Sequence, residues 1–199
     1  MCWLARAVAG VSARWVDCIP SDRQRIYFAN HSSHLDILIL WSSLPRELRR
    51  ITRPVAAGDY WLKSGLRRYL VREVFNAILV QRPAHGGHLR DAVKAIDDTL
   101  AGMGDTYSLI IFPEGTRGDG YEMAPFKGGI YALAKAKPGI ELVPVFMENL
   151  SRILPKGELL PVPLISSISF GKPITLADGE HKKDFLGRAR QAIIDLQNT

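Results

Sequence analysis

His31 and Asp36 lie five residues apart in the segment Asn30–Asp36, directly after a short apolar run, Arg25–Ala29. On a continuous helix the two side chains would point about 140° apart, because each residue turns about 100°. If His31 instead lies in a loop and Asp36 in the first helical turn, the carboxylate can reach the imidazole. A carboxylate in that position fixes the ring tautomer and stabilises the imidazolium, so the pair predicts a general base.

The same segment allows three other interpretations. Asp36 and the serines before it could merely cap a helix, with His31 idle in the loop, and the spacing taken alone favours this. His31 and His34 could bind a metal, although two imidazoles and one carboxylate are a weak signal without further ligands. A serine nucleophile is disfavoured, because the chain contains no Gly-x-Ser-x-Gly sequence. The metal site and the nucleophile both rank below the general base.

A second group of polar residues follows the apolar run Ser108–Phe112. Gly115 permits a tight turn and a close approach of the backbone. Arg117 offers a planar fork of donors that suits a phosphate. Glu114 and Thr116 add a carboxylate and a hydroxyl. A plain turn with a surface Arg–Glu pair is the alternative, which the position after a buried strand disfavours.

Short β-type runs alternate with helical patterns along the chain, which predicts an α/β fold. The predicted strands are Arg25–Ala29, Pro54–Ala57, Ala77–Gln81, Ser108–Phe112, Leu142–Phe146 and Ile165–Phe170. The predicted helices are Leu35–Ser43, Tyr60–Arg72, His88–Met103, Gly129–Lys135 and Lys183–Leu196. We expect one domain over residues 1–199, with a mostly parallel, mixed central sheet flanked by helices. Sites in such sheets lie at the carboxyl ends of strands, where we also expect Arg82; Lys127 lies there too or faces solvent.

The net charge of +6 comes from residues 41–72, which hold eight cations and two anions. Such a cluster attracts the phosphates of nucleic acid, an anionic bilayer or a substrate, and a solvated basic surface is an equal alternative. The segment Met1–Trp15 has apolar residues at helical spacing. It predicts an N-terminal amphipathic helix within residues 1–20 that contacts a membrane or packs on the domain. No transmembrane helix is expected, since the longest run without Asp, Glu, Lys or Arg is Leu159–Gly171, with thirteen residues and two prolines.

Taken in order, these blocks resemble the glycerolipid acyltransferase family, whose best-known members acylate lysophosphatidic acid. The NHxxxxD block is Asn30–Asp36, a strand ending in arginine is Ile78–Arg82, the FPEGTR block is Phe112–Arg117, and a Val-Pro-Val strand is Val143–Val145. The late sequence Gly171-Lys172-Pro173 is similar to the family's ending. The likeness covers residues 25–175, and the first and third blocks at this separation are its specific part.

The resemblance implies that His31 deprotonates the acceptor hydroxyl and that Asp36 orients the ring. The acceptor oxygen would then attack the thioester directly, with no acyl-enzyme, no metal and no other cofactor. The residues implied to bind substrate are Arg82 and Arg117 on a phosphate, with Glu114, Gly115 and Thr116 shaping the same pocket.

The implied partners are a lysophospholipid acceptor, an acyl-CoA or acyl carrier protein thioester, and an anionic membrane surface. Nucleic acid is not an expected partner, because the basic stretch shows no nucleic-acid-binding motif. The implied setting is phospholipid biosynthesis in the cytoplasm, peripheral on the inner face of the membrane. Another acceptor, or an esterase or thioesterase that uses the same base, is the alternative.

Two positions depart from the family pattern. Asn76 stands where the second block usually opens with glycine, and Ala57 stands where many members have lysine after a Val-Ala pair. The missing cation makes a glycerophosphate or another lyso-lipid a credible acceptor beside lysophosphatidic acid. The family's frequent N-terminal membrane helices are not found, so peripheral attachment through the Trp3–Trp15 segment and the basic residues 46–72 is expected.

Overall fold

Among the described residues, the central sheet has seven strands in the order β1-β7-β6-β2-β5-β3-β4. The computed structural model describes residues 12–33, 35–81, 89–118, 122–148 and 167–198. The strands are β1 (Ser12–Trp15), β2 (Arg25–Ala29), β3 (Thr52–Ala57), β4 (Ile78–Val80), β5 (Ser108–Ile111), β6 (Glu141–Met147) and β7 (Ser167–Phe170). All neighbouring strands are parallel except β6 and β7, which are antiparallel. The predicted mixed, mostly parallel α/β sheet is confirmed.

Helices flank this sheet on both faces. They are α1 (Asp36–Ser43), α2 (Arg46–Arg50), α3 (Gly58–Trp61), α4 (Gly65–Tyr69), α5 (Leu89–Met103), α6 (Gly129–Ala136) and α7 (Lys182–Gln197), and a π-helical turn (Leu70–Val74) continues α4. The predicted single helix Tyr60–Arg72 is wrong. Ser64 is extended and its hydroxyl oxygen accepts a hydrogen bond from the Arg67 N–H, so a new helix begins there.

The central strands β2 and β5 are buried along their whole length. Successive side chains point to opposite faces, so each strand supplies two cores. Tyr27 and Ile110 pack on the face that α1 covers, and Ile26, Phe28 and Leu109 pack on the other face with residues of α6 and α7. Burial on both faces explains why these runs are apolar throughout. It also holds the carboxyl ends of β2 and β5 side by side.

The segment predicted as an N-terminal helix includes a strand. Residues 12–15 form β1, which pairs with β7, and the Trp15 ring stacks on Phe170 with centroids 4.1 Å apart. Trp15 therefore belongs to the sheet, because pairing with a distant strand outweighs the local helical pattern. Residues 1–11 lie outside the described part of the chain.

The basic stretch of residues 41–72 divides into two surfaces. Helix α2, with Arg46, Arg49 and Arg50, precedes the amino end of β3, whereas Lys63, Arg67, Arg68 and Arg72 follow its carboxyl end. Arg46, Arg49 and Arg50 therefore lie at the amino end of the sheet, whereas Arg67, whose guanidinium lies over the Tyr60 ring, lies at the carboxyl end. Among the described residues, none of the helices combines the length and the apolar character needed to cross a membrane.

Candidate active site

The loop between β2 and α1 brings His31 and Asp36 into contact. The distance from His31 Nδ1 to Asp36 Oδ2 is 2.8 Å. Asp36 is the first residue of α1 and its side chain is fully buried, whereas the His31 side chain is 19% exposed. The same Asp36 oxygen accepts hydrogen bonds from the N–H groups of Ser32, at 2.7 Å, and Ser33, at 2.9 Å. The chain thus folds back around the carboxylate, and Asp36 organises the loop rather than capping the helix.

These contacts determine which nitrogen of His31 is available for chemistry. Three donors on Oδ2 offset part of the cost of burying the Asp36 carboxylate, whose Oδ1 has no hydrogen-bond partner among the described residues. An ionised carboxylate only accepts hydrogen bonds, so the network assigns the ring proton to Nδ1. Nε2 then carries the lone pair that can take a proton from a substrate.

Glu114 connects the His31 loop to the loop that follows β5. Its Oε1 accepts the His31 N–H at 2.7 Å and its Oε2 accepts the Ala124 N–H at 2.9 Å. The Gly118 N–H in turn donates to the His31 carbonyl at 2.8 Å. Glu114 is 3% exposed, so its carboxylate lies beneath the loops. The two polar groups predicted from the sequence are therefore one structural unit.

A cavity of about 220 Å³ opens beside the His31 ring at the carboxyl ends of β3, β4 and β5. Its lining residues are His31, Ile37, Val55, Ala56, Ala57, Tyr60, Trp61, Val80, Ile111, Phe112, Gly115 and Arg117. The walls are mostly apolar, and His31 and Arg117 add an imidazole and a guanidinium to them. The Phe112 ring stacks on the His31 ring with centroids 4.3 Å apart. The cavity thus brings an imidazole and a guanidinium to one space.

A family model of acyltransferases matches residues 12–148. This chain belongs to the acyltransferase family. The family resemblance predicted from the sequence blocks is therefore confirmed. The relatives described next are named as O-acyltransferases.

Two curated relatives cover the same region. A 1-acyl-sn-glycerol-3-phosphate acyltransferase of Chlamydomonas reinhardtii is 30% identical over 140 residues, which is 70% of this chain and 38% of the relative. The chloroplastic 1-acyl-sn-glycerol-3-phosphate acyltransferase BAT2 of Brassica napus is 28% identical over 137 residues, 69% of this chain and 36% of the relative. The chain therefore spans well under half the length of the curated relatives it matches.

A solved structure shares the fold. The crystal structure of the 1-acyl-sn-glycerophosphate acyltransferase PlsC from Thermotoga maritima superposes with a TM-score of 0.75 over 99% of this chain and 78% of that chain. The sequence identity is 18%, so this likeness concerns the fold.

Gly115 of this acyltransferase adopts a backbone angle that favours glycine. Its φ is +71°, and a Cβ there would lie 2.8 Å from Lys127 Cδ and 2.9 Å from Lys127 Nζ. The Lys127 side chain therefore lies over the turn, and the residue is also exposed. Thr116 and Arg117, next in the turn, are exposed.

Other residues of the predicted site have different positions. Glu114 and Thr116 are not among the lining residues of the cavity. Arg82 and His34 lie outside the described residues. Within the described part of the chain, no three His, Cys, Asp or Glu side chains group closely enough to hold a metal ion.

Sequence reasoning missed a role for Asn30 and for the cavity walls. Asn30 Nδ2 donates to the Met147 carbonyl at 2.9 Å, and its Oδ1 accepts the Met147 N–H at 2.8 Å. The side chain thus extends the β2–β6 pairing by one residue and anchors the start of the segment Asn30–Asp36. The sequence signal for this role was an amide side chain between the end of β2 and His31. Tyr60 and Trp61 line the cavity from the helix that follows Ala57, and no local pattern marks them.

Proposed function

We propose that this acyltransferase moves a fatty acyl group from an acyl-CoA or acyl carrier protein thioester to the hydroxyl of a lysophosphatidic acid-like lysophospholipid, in phospholipid biosynthesis. The observation that carries the proposal is that His31, held by buried Asp36, lines the same cavity as Arg117. A base next to a phosphate-binding cation suits an acceptor that carries both a hydroxyl and a phosphate.

In the proposed reaction His31 Nε2 takes the proton of the acceptor hydroxyl as its oxygen bonds to the thioester carbonyl carbon. The Asp36 carboxylate stabilises the imidazolium through Nδ1. Collapse of the tetrahedral intermediate breaks the carbon–sulfur bond, and the departing sulfur receives the proton from Nε2. The acyl group and the proton are both accounted for, so the mechanism requires no acyl-enzyme, metal or further cofactor.

The substrate-binding roles divide between the cavity wall and its supports. Arg117, with Arg82, is proposed to hold the acceptor phosphate, and Gly115 and Thr116 shape the turn that presents Arg117. Lys127 lies over Gly115 and adds a cation at the same turn. Glu114 is proposed as a positioning residue, because its two oxygens hold the backbone of the His31 loop and of Ala124.

The mostly apolar lining of the cavity supports a lipid substrate. Ligand pockets commonly measure roughly 300–1,000 Å³, whereas this cavity measures about 220 Å³. It therefore holds the reacting groups, while the chains of the two lipids extend beyond it. Ala57 leaves space at the position where many family members carry lysine, and this keeps glycerophosphates and other lyso-lipids as alternative acceptors.

Contact with an anionic membrane surface is proposed for the side of the molecule next to this cavity. Leu66 is 70% exposed and Tyr69 is 54% exposed, and both belong to α4, which also carries Arg67 and Arg68. Exposed apolar side chains beside cations suit a lipid interface. Three further points stay predictions. The protein lies peripherally on the cytoplasmic face of the membrane, residues 1–20 contribute to this contact, and nucleic acid is not a partner.

An acceptor panel tests the proposed function. Purified protein is mixed with acyl-CoA or acyl carrier protein thioester and with lysophosphatidic acid, glycerol 3-phosphate, lysophosphatidylglycerol or monoacylglycerol, and thiol release is followed. We expect release that depends on a phosphate-bearing acceptor, with monoacylglycerol as the matched control that lacks phosphate. Equal release with and without acceptor, together with free fatty acid, would establish a thioesterase instead. Absence of thiol release with every pair would refute the proposal.

A further inference from the structure

A second cleft lies at the opposite end of the sheet from His31, at the amino ends of β3 and β4. Its volume is about 350 Å³. Its lining residues are Trp41, Arg46, Arg49, Arg50, Thr52, Arg53, Val74, Phe75 and Asn76. Four of these nine are arginines and none is acidic. The reaction proposed above uses none of them.

Two of the arginines are held in place by neutral acceptors. Arg49 Nη1 donates to the carbonyls of Ser42, at 3.0 Å, and Leu44, at 2.9 Å, and its guanidinium lies over the Trp41 ring. Arg53 Nη1 donates to the Gly102 carbonyl at 2.7 Å. Carbonyls orient a guanidinium without cancelling its charge. Both side chains are therefore ordered cations before any ligand arrives.

Asn76 completes the support of Arg53. Arg53 Nε donates to the Asn76 carbonyl at 2.7 Å, and Nη2 donates to Asn76 Oδ1 at 3.2 Å. Asn76 has a φ of +46°, in the left-handed region that asparagine tolerates better than most residues. This conformation accounts for the glycine that the family usually has at this position. Asparagine keeps the backbone angle and adds a side-chain acceptor for the arginine.

Within the part of the chain that the structure describes, no carboxylate lines the cleft beside its positive charge. Among the described residues, no carboxylate forms an ion pair with Arg46, Arg49, Arg50 or Arg53. The acidic residues nearest along the chain, Glu47 and Glu73, are exposed and do not line the cleft. Four like charges around one concave space repel one another, and a bound anion would offset that repulsion.

We propose that this cleft binds the phosphate group of a small phosphorylated ligand, at a site separate from the acceptor phosphate. Planar guanidinium groups bind phosphate in a bidentate manner. Arg49 and Arg53 form the preordered base, and exposed Arg46 and Arg50 supply donors at the rim. The concave shape favours a compact phosphate over the broad face of an acidic protein. The phosphate belongs either to a soluble metabolite or to a lipid head group.

The Trp41 indole provides a reporter inside the cleft. Its Nε1–H donates to the Thr52 carbonyl at 3.3 Å, so its NMR signal senses both the strand and the bound anion. The signal is assigned with Trp41→Phe, and the protein is titrated with inorganic pyrophosphate. We expect a saturable shift, and we expect the double variant R46Q/R50Q to weaken binding at least about tenfold through loss of two charge-assisted contacts.

A matched double variant tests whether position, and not total charge, matters. R67Q/R68Q removes the same charge from α4, outside the cleft, and should change pyrophosphate binding at Trp41 less than about twofold. An equal loss in both double variants would show bulk attraction and overturn the proposal. A flat titration of the Trp41 signal would overturn it as well, and so would a shift produced only by an acidic protein such as acyl carrier protein.

Short-chain dihexanoyl phosphatidic acid identifies the source of the phosphate. If it shifts the Trp41 signal at lower concentration than pyrophosphate does, the ligand is a lipid head group. If pyrophosphate binds more tightly, the ligand is a soluble phosphorylated molecule. The proposal is independent of acyl transfer, since binding is read at Trp41 without turnover.

Discussion

The two ends of the central sheet both carry cations, but among the described residues only the carboxyl end combines them with an imidazole that contacts a buried carboxylate. There His31 and Arg117 line a largely apolar cavity and Asp36 lies behind the imidazole, whereas the amino end presents Arg46, Arg50 and two further arginines around a cleft without a histidine. Parallel strands bring the loops that follow them to one edge, and this places reactive groups together. Positive charge by itself therefore does not identify the candidate active site. The position of a cation beside His31 does.

A second contrast exists within the carboxyl end. The polar groups of the β2–α1 loop are bonded to one another and to Glu114, whereas Thr116 and Arg117 are exposed. The hydrogen bonds of the β2–α1 loop fix its geometry, whereas the exposed turn is accessible to a charged substrate. Changes in the buried loop should therefore affect the rate constant, and changes in the exposed turn should affect substrate affinity.

The largest effect is expected from Asp36→Asn. The amide oxygen can still accept the N–H groups of Ser32 and Ser33, so the loop should fold, but the charge that stabilises the His31 imidazolium is lost. We expect kcat to fall about 10²–10⁴-fold with little change in KM. Steady-state thiol release measures this, with circular dichroism as the check on folding. A kcat within twofold of the wild type would contradict the assigned role of Asp36.

Glu114→Ala should have the next largest effect, on both stability and rate. It leaves the His31 and Ala124 N–H groups without their acceptor, at about 1–3 kcal/mol for each buried donor. We expect a lower urea midpoint and a lower kcat. Glu114→Gln retains an acceptor oxygen and should be intermediate. Unchanged kcat in a destabilised Glu114→Ala protein would show that Glu114 supports the fold without positioning His31.

Arg117→Gln tests the role of the exposed turn after β5 in substrate binding. We expect KM for a phosphate-bearing acceptor to rise about tenfold, the effect of losing one charge-assisted contact, with kcat nearly unchanged. Monoacylglycerol, without phosphate, should be used as poorly by the variant as by the wild type. An equal loss with both acceptors would place Arg117 in a general structural role.

The smallest effect is expected at the amino end, where Asn76 adopts a left-handed backbone angle. Asn76→Ala should lower stability by about 1–2 kcal/mol, because alanine adopts that angle less readily than asparagine and because the side-chain acceptor of Arg53 is lost. Asn76→Gly keeps the angle at low cost and removes only the side-chain acceptor of Arg53. Urea unfolding of the two variants separates these contributions. Equal losses would show that the backbone angle is not the cause.

Much of the fold follows from local sequence. Strands β2 and β5 are predicted to within one residue, because continuous apolar runs mark strands buried on both faces. The contact between His31 and Asp36 is predictable as well, since only a short loop separates a strand from a helix. The same reasoning predicts that the loop after β5 shares the cavity with His31.

The rest depends on contacts that are distant in sequence. Strand β1 exists because it pairs with β7, more than 150 residues later, and nothing local to residues 12–15 reveals that partner. The break before α4 depends on the backbone of Ser64, which composition does not show. Glu114 reads as a substrate ligand in the sequence, whereas its burial beneath His31 follows only from how two loops meet.

The central claim is that His31 is the base for acyl transfer, and His31→Ala tests it most directly. Thiol release from acyl-CoA in the presence of a phosphate-bearing acceptor is measured for the wild type and for His31→Ala, and thermal unfolding confirms that both are folded. We predict that the folded variant loses at least about 10²-fold in turnover. Turnover equal to that of the wild type would contradict the account.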